Sequence, residues 1–217
     1  MDCGGKMKIS FAKDGNWREK LRLAFMLRFD AKADYLQEED CVADPLDDRF
    51  GCAYAYVGTL THDTYESGTP IGLRCSFEGY GAPMLTLAED MALDKDGDAH
   101  YGGCIEIVIW KHGMNVWRHI RENDCMTYHH IMGIFTPLEE GVIHELRVKV
   151  DGKMLLTDVD GKRFSVRIED MPEKFWVGAA LCEGENRLYD LQINENDSFG
   201  DFMTWADTTV PVQKFDC

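Results

Sequence analysis

Residues 144–193 constrain the fold more than any other stretch. They read HELRVKVDGKMLLTDVDGKRFSVRI, then a short acidic break, then KFWVGAALCEGENRLYDLQI. Leu146, Val148 and Val150 alternate with Glu145, Arg147 and Lys149. That is the period of a strand with one face in a core and one in water. Asp151-Gly152 and Asp160-Gly161 supply residues that accept the positive backbone angles of tight hairpins. One short strand lies between these turns, and after them Phe164, Val166 and Ile168, then Phe175, Val177, Ala179 and Leu181, then Tyr189, Leu191 and Ile193 repeat the alternation. Five strands in about fifty residues, with no helical period, predict antiparallel sheet.

The same pattern extends upstream. Residues 8–12 predict an edge strand. Leu21, Leu23, Phe25, Leu27 and Phe29 alternate with Arg22, Ala24, Met26, Arg28 and Asp30 and predict the longest strand of all. Residues 31–50 read as a long acidic loop and residues 61–70 as a polar one. Further strands are predicted at 54–60, 71–78, 84–87, 105–110, 114–121 and 127–135, with loop over 90–103. The tail, residues 195–217, carries scattered aromatics. The whole predicts one all-β domain over residues 1–217, with its core in about 6–194. About a dozen antiparallel strands in one domain make a two-sheet antiparallel jelly-roll sandwich.

Composition narrows the function classes. The 217 residues carry a formal charge of −16. Phosphate backbones and anionic lipid surfaces repel such a chain, so neither nucleic acid nor membrane is expected as a partner. The start, MDCGGKMKIS, has no apolar signal-peptide core, and no run approaches transmembrane length. The eight cysteines show no CxxC spacing, and several alternate with core residues. Reduced thiols, a cytoplasmic location and an acidic protein are the expectation.

The run from residue 144 to 193 resembles the second half of concanavalin A-like lectin/glucanase domains, in the style of laminin-G modules. There a strand ending in V-D-G leads into a hairpin, and a later apolar-Gly strand precedes the last core strand. The resemblance in strand pattern covers roughly residues 6–194. It implies the jelly roll and says little of activity, because that superfamily holds lectins, carbohydrate-binding modules, hydrolases, lyases and interaction domains. Its laminarinase-like branch carries E-x-D-x-E on one strand. Here those positions are Glu106, Val108 and Trp110, so two of three acids are missing.

A carbohydrate-binding, lectin-like role without catalysis is therefore the leading expectation, with a carbohydrate or glycoside as ligand. The candidate ligand-binding residues are Arg28, Arg74, Glu106, Trp110, Trp117, Arg118, Tyr128 and His129, taken as the polar face of one sheet. Aromatic rings stack on apolar sugar faces, and charged groups hold hydroxyls or a carboxylate. The return strand after Trp110 offers either Arg118 or the pair Trp117 and His119, depending on register. A glycoside hydrolase or lyase using Glu106 is the alternative. A module that binds a protein partner, or a second copy of itself as a homo-oligomer, is the third. His129 and His130 are adjacent and face opposite ways, so they do not share a metal. Asp94, Asp96 and Asp98 form a weak calcium candidate. The spacing departs from an EF-hand loop, because Gly97 comes too early and Ile105 stands at the twelfth position.

Overall fold

The computed structural model describes residues 5–27, 57–122, 125–182, 184–195, 199 and 213–215. In chain order its strands begin with β1 (Met7–Ser10), β2 (Leu21–Met26), β3 (Val57–Glu66), β4 (Pro70–Glu78) and β5 (Ala82–Ala88). The short β6 (Ala92–Leu93) and β7 (Ala99–Tyr101) follow, then β8 (Cys104–Trp110), β9 (Gly113–Glu122) and β10 (Cys125–Phe135). The last group is β11 (His144–Asp151), β12 (Met154–Val159), β13 (Lys162–Arg167), β14 (Lys174–Cys182), β15 (Glu185–Ile193) and β16 (Gln213–Phe215). A single helical turn, α1 (Trp17–Lys20), lies between the first two strands. No helix among the described residues is long and apolar enough to cross a membrane.

These strands form two sheets. One has six strands in the order β1-β15-β4-β11-β12-β13, and the other ten in the order β16-β10-β9-β8-β5-β14-β3-β2-β7-β6. Pairing is antiparallel except between β2 and β7. The architecture is a two-sheet jelly-roll sandwich. The period-two residues fill the space between the sheets: Ile71, Leu73, Leu146, Val148, Leu191 and Ile193 from one side, Leu85, Ile105, Ile107, Val116, Phe175 and Val177 from the other. Each is at most 2% exposed, and burying such a side chain contributes about 1.5–3 kcal/mol. The hairpin joining β12 to β13 turns on Asp160 (φ 50°) and Gly161 (φ 82°), the pair of positive angles its two-residue loop needs.

Several expectations change. The longest described strand is β10, eleven residues, whereas β2 ends at Met26 with Leu27 in a turn. Arg28 and the loop expected at 31–50 lie outside the described residues. The polar stretch after Leu60 is not loop, because β3 continues to Glu66. Thr61 is buried there. Its hydroxyl accepts a hydrogen bond from the Val177 amide at 3.0 Å and donates to the Asp63 carbonyl at 2.8 Å. A hydroxyl so satisfied takes a buried strand position that polarity alone seemed to forbid.

Candidate functional site

Ile105, Ile107 and Ile109 of β8 point into the core. Cys104, Glu106, Val108 and Trp110 therefore face away from it, on the outer side of the ten-stranded sheet. Register then decides which side chains meet there. Glu106 stands between Thr86 on β5 and Trp117 on β9, and Trp117 stands opposite His130 on β10. In the neighbouring row Cys104 is opposite His119, and His119 opposite Tyr128. Directly opposed residues share a face. A bulge between His130 and Met132 puts Ile131 and Met132 both into the core while Tyr128 and His130 stay outward.

The centre of this constellation is buried. Glu106 is 2% exposed and His119 1%. Oε2 of Glu106 lies 3.0 Å from Nε2 of His119. That is ion-pair distance, without the alignment of a hydrogen bond. Oε1 of Glu106, Oγ1 of Thr86 and Nδ1 of His119 find no hydrogen-bond partner among the described residues. Each such atom costs about 1–3 kcal/mol, and native proteins rarely leave one so without a bound water, ion or ligand. Around the pair stand rings. Tyr128 meets His119 edge-on at 5.0 Å, and Trp117 lies 4.7 Å from His130. Nε2 of His130 is 3.3 Å from Oδ1 of Asn115. Burial lowers the pKa of His130, with a backbone hydrogen bond at Met132 partly opposing it.

Two apolar clusters flank that patch on the same face, so it is not the broad polar surface expected. One cluster holds Met26, Leu60, Ala88, Tyr101 and Cys104, and another Met84, Val108, Ala180 and Cys182. Glu106 sits between Cys104 of the first and Val108 of the second. Burial, then the Glu106 carboxylate, push the Cys104 thiol well above its ordinary range, although Arg118 pulls the other way.

The expected ligand set comes apart along strand and sheet lines. Glu106, Trp117 and Tyr128 do come together. Arg74 does not join them: it sits on β4 of the other sheet, on the opposite side of the sandwich, paired with Asp190 at 2.9 Å. Arg118 is opposite Ile105, so it lies on the reverse face from Glu106. Its guanidinium bonds Glu89 at 2.7 Å and Asp170 at 3.0 Å. Burial opposes the charge there, but the two carboxylates outweigh it and raise its pKa. His129 is opposite Arg118 and leaves the site with it. Trp110 faces outward but four residues along β8, about 13 Å from Glu106. It packs instead against His112 at 4.7 Å, at the sheet's end. Sequence reasoning left Thr86 and Asn115 out and took His129 rather than His130 into the candidate set. Period two puts each on a strand face, but only cross-strand register brings them to Glu106.

Asp94 is committed within its own turn. Its Oδ1 accepts from the amides of Asp96 and Asp98 at 2.9 and 3.1 Å, and its Oδ2 lies 3.0 Å from His100 Nε2. Among the described residues no group of three or more His, Cys, Asp or Glu side chains is placed to hold a metal ion.

No protein-family model matches the sequence, and no curated protein is significantly similar to it. Solved structures are similar at low identity. The carbohydrate-binding module CBM66 from Bacillus subtilis shares 14% identity, over 65% of this chain and 82% of that one, with a TM-score of 0.49. A Bacillus subtilis protein of unknown function with a galectin-like fold shares 13%, over 68% and 83%, also at 0.49. A pseudo-β-1,3-glucanase of Mycobacterium tuberculosis shares 16%, over 63% and 68%, at 0.40.

Proposed function

We propose that the protein binds a carbohydrate without turning it over, on the outer face of the ten-stranded sheet. Glu106, His119 and Thr86 supply hydrogen bonds, and Trp117, Tyr128 and His130 supply ring surface. The observation that carries this reading is the buried Glu106–His119 pair with its unfilled polar atoms, flanked on the same face by half-buried aromatic side chains. A sugar meets both demands at once. Its hydroxyls pair with buried polar atoms, and its C–H faces lie on rings. The solved structures similar in fold include a carbohydrate-binding module. Calorimetric titration against a panel of oligosaccharides tests the proposal. Glu106→Gln and Trp117→Ala should each weaken binding at least tenfold. Undiminished binding in both variants sinks it.

Turnover is a second reading, favoured by the same 3.0 Å carboxylate–imidazole contact, since such a pair can move protons. Two-carboxylate glycoside hydrolysis fits poorly. It needs carboxyl groups about 5–9.5 Å apart, and the positions flanking Glu106 on its face are Cys104, Val108, Thr86 and Trp117. Proton transfer between Glu106, His119 and a bound sugar is the chemistry that the pair itself offers. Product release from a bound oligosaccharide, abolished by Glu106→Gln while binding persists, would establish it.

A further inference from the structure

The charge and the unfilled valences of the site limit which sugar it takes. This step rests on the carbohydrate reading above. We propose that the unit seated over Glu106 is an amino sugar, its ammonium group on Oε1 of Glu106 and its ring against Trp117 and Tyr128, and that sugars bearing a carboxylate are rejected.

The argument begins with Oε1. It is buried, it lacks a partner among the described residues, and as a carboxylate oxygen it can only accept. Its partner must bring an N–H or O–H. A ligand carboxylate brings neither at neutral pH and adds a second negative charge beside the first. An ammonium brings three donors and a compensating charge, and a charge-assisted bond is roughly twice as strong as a neutral one.

Among the described residues the basic side chain nearest Glu106 is His119, which lies on Oε2 and leaves Oε1 open. Along β8 the neighbours of Glu106 on this face are Cys104 and Val108, and across it Thr86 and Trp117. The expected arginines are elsewhere: Arg74 on the other sheet with Asp190, Arg118 on the reverse face with Glu89 and Asp170. Arg22 does face this side, opposite Leu60, but four strands from Glu106, about 19 Å away. Burial disfavours the charged form of His130.

The surroundings favour a cation further. The faces of Trp117 and Tyr128 carry negative quadrupole and attract an ammonium group. A protein of net charge −16 raises the local concentration of cations and lowers that of anions. Thr86 Oγ1, which both donates and accepts, is left for a neighbouring hydroxyl.

The test is calorimetry on the full chain at pH 6.5 and 150 mM salt, with three oligomers of equal length: glucosamine, N-acetylglucosamine and galacturonate. The glucosamine oligomer should bind at least tenfold more tightly than the galacturonate, a difference of about 1.4 kcal/mol. Glu106→Gln should abolish the preference for the free amine over the N-acetyl form. A preference that survives Glu106→Gln is bulk attraction to an acidic protein and overturns the proposal. Thr86→Val, which keeps the shape of the site, should weaken all amino-bearing ligands even if the Glu106 variant does not fold. Equal or tighter binding of galacturonate overturns the amino-sugar assignment and leaves the carbohydrate reading standing. Binding of none of the three, with no other sugar bound in the panel, overturns both.

Discussion

Oε2 of Glu106 lies 3.0 Å from Nε2 of His119, in a patch where neither residue is more than 2% exposed. A carboxylate so placed loses its water and keeps one partner. Replacing His119 by Leu leaves it with none. An uncompensated buried charge costs about 3 kcal/mol, so His119→Leu should lower unfolding stability by about that amount in urea. Glu106→Gln alone should cost less. The double variant Glu106→Gln/His119→Leu should be more stable than the sum of the singles predicts, by about 1–2 kcal/mol. Strict additivity would show that the two side chains do not interact.

Arg118 separates stability from binding. Its guanidinium, 5% exposed, bonds two carboxylates and also donates to the carbonyls of Cys104 at 3.3 Å and His119 at 2.6 Å. It joins β8 and β9 to the connections carrying Glu89 and Asp170. Arg118→Met should cost about 3 kcal/mol in urea unfolding, because the partners left behind are partly buried. It faces away from Glu106, so sugar affinity at a temperature where the variant is folded should change by less than twofold. A tenfold loss of affinity would place Arg118 in the binding site after all.

The division between Arg118 and Glu106 shows what a sequence read one strand at a time can reach. Alternation gave the two faces of β8 correctly, Ile105, Ile107 and Ile109 inward, Glu106 outward. It gave the hairpins of residues 144–193 equally well, because Asp-Gly pairs and period two are local signals. It could not say that Arg74 and Glu106 lie on different sheets. Both alternate with core residues, and alternation is the same in either sheet. Nor could it choose between His129 and His130. That choice depends on which residue of β10 faces Trp117, and the bulge that then turns Ile131 and Met132 both inward is invisible to a period-two template. Thr86 was missed for the same reason: nothing local to β5 records that Glu106 is its neighbour.

The thiols should sort by burial. Cys75, Cys104 and Cys182 are buried and Cys125 is exposed, all four free. Desolvation raises the Cys75 and Cys104 thiols far above their ordinary range, so almost no thiolate forms there. Native protein treated with an excess of alkylating reagent at pH 8, then digested and mapped by mass spectrometry, should show Cys125 modified within minutes. Cys75 and Cys104 should stay unmodified until denaturant is added. Rapid native labelling of Cys104 would mean that the outer face opens readily.

Glu169 tests the surface electrostatics at the opposite extreme. It is exposed, and its carboxylate accepts from Arg167 and from Lys153 Nζ at 2.7 Å. Arg167 first, then Lys153, hold its pKa down at about 2, against an ordinary 4.5. A folded-state pKa below the unfolded one contributes stability that is present above pH 4.5 and is lost as the pH falls toward 2. The group is open to solvent, so salt should screen most of the effect, the Debye length being about 10 Å at 0.1 M. Carboxyl titration by NMR at low ionic strength should find Glu169 titrating well below the other exposed glutamates. Arg167→Ala should return it most of the way to 4.5, and Lys153→Ala part of the way. An ordinary titration in the parent protein would mean that the two cations do not dwell on the carboxylate in solution.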